Sequence, residues 1–141
     1  MNDRSNQDIA RWQHRLASFG KALRQLEAAC DKTSYTDLER AGLVQMFEFT
    51  FELCWKTLKD RLTYDGVTVT TPRETIRNTF SVAYISESEA ETLLEALEKR
   101  NLLSHTYEEH IAQAAERLIK TRFAPVLSAV YNKISKAAAH E

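Results

Sequence analysis

Near residue 100 the sequence places side chains that can hold an anion and move a proton where a helical core stripe should continue. Ala90, Leu93, Leu94 and Leu97 follow helical spacing, and the next positions on that face are Arg100, Asn101, Ser104 and His105, then Tyr107 and Glu108 if the helix runs on. Arg100, Ser104 and Tyr107 share one edge, and Asn101, His105 and Glu108 share the adjacent one. A guanidinium is a permanently charged planar fork matched to phosphate or carboxylate oxygens. An imidazole ordinarily titrates near ~6.5 and serves as either base or acid. Asn101, one turn before His105, could fix the imidazole tautomer or bind a phosphate oxygen. Burying an unpaired Arg and His would cost on the order of several kcal/mol. This end therefore faces a water-filled cleft, a partner, or an internal network in which a satisfied His and an Arg/Glu pair tie the helix to its neighbours. The spacing leaves all three open, because composition alone produces about one Arg-to-His match at such separations by chance.

The elements that must position these residues are helices. The 141 residues are 43% hydrophobic and 28% charged, which describes one compact soluble domain, and 3 Gly with 2 Pro supply too few turns for a β-sandwich or barrel. Thr36 with Glu39, Thr71 with Glu74, and Ser86 with Glu89 fit capping boxes, and Pro72 suits the first position of a helix. These signals predict helices over about 7–30, 37–64, 72–82, 87–105 and 108–134, with Asp65-Gly66 ending the second and a loop over 67–71. The expected fold class is an all-α bundle of about five helices in a single domain spanning 1–141.

A formal net charge of −1 argues against holding nucleic acid by bulk electrostatics, while leaving room for a local basic site. Cys30 and Cys54 are too few and too isolated for a disulfide framework, and with four His they offer no metal-ligand spacing, so no metal or cofactor is expected. Reduced thiols and the absence of an apolar run near the ~18 residues of a membrane span predict a cytoplasmic, non-membrane protein.

The second helix is apolar around most of its circumference. Phe47, Phe51, Cys54, Leu58 and Leu62 form one stripe, Met46, Thr50, Leu53 and Trp55 widen it, and Phe49 lies on another side. Such a helix is enclosed by neighbours or by a partner chain, so it should be central and the protein at least a dimer. Glu48, Glu52 and Lys56 repeat at i,i+4; the spacing suits a paired-carboxylate site, but a Glu52/Lys56 salt bridge with Glu48 left exposed or at an interface is favoured. Arg73 and Arg77 form a small basic face, expected to pair with Glu74 and Glu48 rather than bind phosphate. Lys56, Lys59, Arg61, Arg11, Arg15 and Arg24 read as ordinary solvated faces.

Three strings, FEFTFELCWKTLKD (Phe47 to Asp60), TPRETIR (Thr71 to Arg77) and RNLLSHTY (Arg100 to Tyr107), resemble the nucleotidyltransferase substrate-binding proteins of the HEPN superfamily, close to the HepT half of the HEPN/minimal-nucleotidyltransferase (MNT) toxin-antitoxin pairs. The resemblance covers about residues 10–130. It implies an up-and-down helical bundle that forms a homodimer and binds a small nucleotidyltransferase encoded beside it. It also implies an endoribonuclease signature in which Arg100, Asn101 and His105 are catalytic. Apart from the resemblance, Ser104, Arg73, Arg77, Glu48 and Lys56 are candidate contacts to substrate or partner. Tyr107, two residues past the histidine, matches the position that the nucleotidyltransferase adenylylates to silence the toxin. The family name implies another role, in which the chain supplies the substrate site of a two-component nucleotidyltransferase.

Metal-free RNA cleavage needs a base for the 2′-OH proton, a donor for the phosphate charge and an acid for the leaving 5′ oxygen. One chain offers one suitable histidine, so the ribonuclease reading requires a two-fold dimer that brings a second Arg100 and His105 to the same cleft.

Overall fold

The computed structural model describes residues 3–105 and 108–139, and among them all regular structure is helical. Two 28-residue helices, α1 (Asp3–Cys30) and α2 (Asp37–Tyr64), form a hairpin about 42 Å long. Lys32 pairs with Glu39 near the turn, the Thr50 hydroxyl approaches the Ala22 carbonyl midway, and Arg15 pairs with Asp60 further out, which makes the two helices antiparallel. A short α3 (Pro72–Ser81) then leads to α4 (Glu87–His105), α5 (Glu109–Leu118) and α6 (Ala124–Ala139).

Local chemistry explains where the helices begin. The Thr36 Oγ1 accepts from the Glu39 N–H at 3.1 Å while the Glu39 carboxylate accepts from the Thr36 N–H at 2.9 Å, and Ser86 with Glu89 does the same at 3.1 and 2.8 Å. Thr71 completes half of a box: it accepts from the Glu74 N–H, but Glu74 reaches back to the N–H of Thr70. Gly66, at φ +89°, takes the left-handed conformation that turns the chain out of α2. Val67 to Thr71 is a loop, anchored by the buried Val69.

Two boundaries differ from expectation. The first helix starts at Asp3 instead of about residue 7, and the last runs to Ala139 instead of about 134. The last also contains a π turn, Ile119–Phe123, joining α5 to α6, in which the Ala124 N–H bonds to the Ile119 carbonyl five residues back. Pro125 lies just beyond it; a proline ring inside a regular α-helix clashes with the carbonyl four residues earlier, and the wider turn relieves that conflict.

The core lies where α2 meets the other helices. It contacts α1, α3, α4, α5 and α6, and its stripe of Phe47, Phe51, Cys54, Leu58 and Leu62 is fully buried. Phe123, in the π turn, stacks on Phe47 at 5.3 Å between ring centroids. Two salt bridges, Lys133 to Glu89 and Arg122 to Glu95, tie the C-terminal helix to α4. At the other end of α2, Arg40 bonds to Glu116 and Glu109 of α5. Enclosure of α2 is incomplete: Phe49 is 60% exposed and Met46 is also open to solvent. No described helix is long and apolar enough to cross a membrane.

Candidate functional site

Antiparallel packing of α4 on α2 sets two matched pairs four residues apart. Arg100 Nη2 lies 2.6 Å from Glu52 Oε2, and Ser104 Oγ lies 3.1 Å from Glu48 Oε2. The Ser104 proton is shared with the Arg100 carbonyl at 2.9 Å. Glu52 collects two further donors: the Trp55 indole N–H at 3.0 Å on the same oxygen as Arg100, and Lys56 Nζ at 3.1 Å on the other. Partial burial alone would raise its pKa, but the bonds from Trp55 and Lys56 and the charge of Arg100 outweigh it and hold the carboxyl below its ordinary value. Gln45, Glu48, Phe49, Glu52 and Arg100 line an open hollow of about 280 Å³.

The expected internal network is thus half realised. Arg100 has its carboxylate, from α2, whereas Asn101 and His105 are exposed and bond to no described residue. The core stripe is displaced rather than ended: Leu103 is buried one residue before Ser104, so the polar edge of α4 runs beside a continuing apolar one. Tyr107 lies outside the described residues. The favoured Glu52/Lys56 bridge is present, and Glu48 is occupied by Ser104.

Arg73 and Arg77 depart from expectation. They are exposed on α3 and pair with no described carboxylate, because Glu74 is turned back onto the loop and Glu48 faces α4. The structure therefore brings together Arg100, Ser104, Glu48 and Lys56, with Asn101 and His105 at the same helix end, and leaves the α3 arginines out of this hydrogen-bonded set.

Three features escaped the sequence reading. Trp55 is a ligand of Glu52 as well as a core residue, which its i,i+3 spacing from Glu52 could have signalled. Arg11, Arg15, Lys56 and Lys59, read as separate solvated faces, meet around Trp55 and Asp60 across the α1/α2 hairpin. Arg61 also leaves the solvated class: it is 8% exposed, lies over the rings of Trp12, Tyr64 and Tyr84, and bonds to Asp65.

The site offers an anion the guanidinium edges that Glu52 leaves free, and His105 presents an exposed imidazole on the same end of α4. The cysteines add no nucleophile, since burial pushes both thiols up. Among the described residues no group of three His, Cys, Asp or Glu is placed to hold a metal ion.

The architecture defines a class: an all-helical bundle of the HEPN kind. It superposes on a Shewanella oneidensis HEPN toxin, solved tri-AMPylated and in complex with an MNT antitoxin, with a TM-score of 0.67 at 13% identity over 96% of this chain and 99% of that one. A Thermus thermophilus protein of known crystal structure matches with a TM-score of 0.77 and 30% identity over 82% of this chain and 97% of that one. No curated protein matches in sequence. Residues 14–136 match the nucleotidyltransferase substrate binding protein like family, and the chain belongs to it.

Proposed function

We propose that this chain is the HEPN half of a two-component system with a small nucleotidyltransferase, and that it is a metal-independent endoribonuclease of the HepT kind. The observation that carries this reading is the state of the α4 end: Arg100 is oriented by Glu52 at the rim of an open hollow, and Asn101 and His105 are exposed on the same end of the helix. In a two-fold dimer one His105 takes the 2′-OH proton as that oxygen attacks phosphorus. The partner's His105 protonates the 5′ oxygen as its bond to phosphorus breaks, leaving a 2′,3′-cyclic phosphate and a 5′-OH. Arg100 neutralises the phosphate charge that builds up, and Asn101 holds a phosphate oxygen or the imidazole tautomer. Adenylylation by the nucleotidyltransferase of Tyr107, two residues past His105 in sequence, would add an anionic phosphate and block the cleft by competition and bulk.

The measurement is cleavage of a labelled RNA by the purified chain in the presence of a chelator. His105→Ala and Arg100→Ala are each expected to lower the rate at least about a hundredfold. Unchanged cleavage in His105→Ala would sink the catalytic assignment.

A specific observation also favours the second reading, a non-catalytic subunit presenting a substrate to the nucleotidyltransferase. Arg100 is already neutralised by Glu52, and Glu48 adds a second carboxylate to the same hollow. On that reading the chain alone leaves RNA intact, and only its complex with the nucleotidyltransferase binds nucleotide.

A further inference from the structure

We propose that a cationic hollow between α1 and α2, beside the α2/α4 site, binds the phosphate backbone of single-stranded RNA. This rests on the ribonuclease reading and names how that site would hold its substrate. The hollow, of about 310 Å³, is bordered by Arg11 and Arg15 of α1 and by Lys56 and Lys59 of α2, around Trp55 and Asp60. Helical spacing puts each pair on one face of its helix, and the antiparallel hairpin brings the faces together. Asp60 is the one carboxylate among the described lining residues and is taken by Arg15 at 3.2 Å. Arg11 is exposed and pairs with no described carboxylate, and Lys59 Nζ lies 5.9 Å from the centre of the Trp55 ring. A surplus of positive charge is thus concentrated here in a chain whose net charge is −1.

Continuity with the α4 site favours RNA. Lys56 binds one oxygen of Glu52 and Arg100 binds the other, so a strand seated in the hollow meets Arg100 after crossing a single carboxylate. A protein partner fits less well. Interface centres are apolar and poor in lysine, whereas this hollow is concave, polar along most of its lining and bordered by two lysines.

The test uses the full chain carrying His105→Ala, so that bound RNA stays intact, and a fluorescently labelled oligouridylate as probe. Anisotropy titrations across a salt series compare this chain with one that also carries Arg11→Ser and Lys59→Ser. Both added sites lie on the helix surface, and a circular dichroism melt checks that folding is kept. Losing two phosphate contacts should weaken binding about tenfold near ~0.1 M salt and make the log–log salt slope shallower by about 1.4. Equal affinity and slope in the two chains would overturn the proposal, as would failure of the His105→Ala chain to bind the probe. Loss of binding to the nucleotidyltransferase with RNA affinity unchanged would reassign the surface to a protein and overturn it too. The ribonuclease reading fails separately, when wild type and His105→Ala cleave RNA alike.

Discussion

Glu52 is the residue on which the α2/α4 face turns, because one carboxylate holds Arg100, Trp55 and Lys56 in place. Its pKa is depressed in the folded chain, so its stabilising contribution is complete above the ordinary carboxylate value of about 4.3 and is lost as pH falls through the lower folded value. Thermal melts from about pH 6 to about pH 3 should therefore show a steeper loss of melting temperature in wild type than in Glu52→Gln. Glu39 and Glu89, whose carboxyls are also held low, act alike in both chains and drop out of the comparison. Parallel curves would show that Glu52 gains nothing from its three donors. Little of this residue-level detail was legible in the sequence. The Glu52/Lys56 bridge was, because a four-residue step on one helix is a local fact. Arg100 and Glu52 are 48 residues apart, and only the packing of α4 on α2 decides that this carboxylate is the partner. The α3 arginines were misassigned for the same reason: the orientation of Glu48 is set by its neighbour across the helix interface.

Among the elements, the helix starts were the most readable, since a capping box is written within four residues and needs no tertiary context. The π turn was not, because an apolar pattern that changes phase within a long helix looks like noise in the pattern itself. Pro125 was the available clue. How closely helices pack was equally hidden. A Cβ added at Gly20 of α1 would lie 2.7 Å from the Tyr131 hydroxyl of α6, and that ring stands edge-on to Phe19 with centroids 5.4 Å apart. Alanine is the better helix former by about 1 kcal/mol, yet overpacking costs about 1–3 kcal/mol, so Gly20→Ala should be net destabilising. Urea titration should show a lower midpoint at unchanged slope. A raised midpoint would mean that Tyr131 can swing away freely.

For the whole molecule, the exposed Phe49 is an aromatic ring on α2 that a lone chain leaves uncovered. It borders the hollow containing Arg100 and also the groove between α1 and α2 lined by Ala22 and Leu53, so a second copy covering it would lie against the proposed catalytic face. Phe49→Asp is expected to convert a dimer into a monomer by light scattering and to abolish RNA cleavage while the helical circular dichroism signal is kept. A wild-type chain that is monomeric at micromolar concentration would leave no two-histidine cleft and would count against the ribonuclease reading. A net charge near zero first argued against a nucleic-acid enzyme, and the uneven placement of that charge changes the weight of the objection. It also makes the two hollows thermodynamically linked. A phosphate that draws Lys56 away from Glu52 leaves that carboxylate to grip Arg100 harder, and one that captures Arg100 returns Glu52 to Lys56. By reciprocity each event penalises the other equally. If phosphates bind as proposed, Glu52 would work as a small anticooperative spring between neighbouring ones.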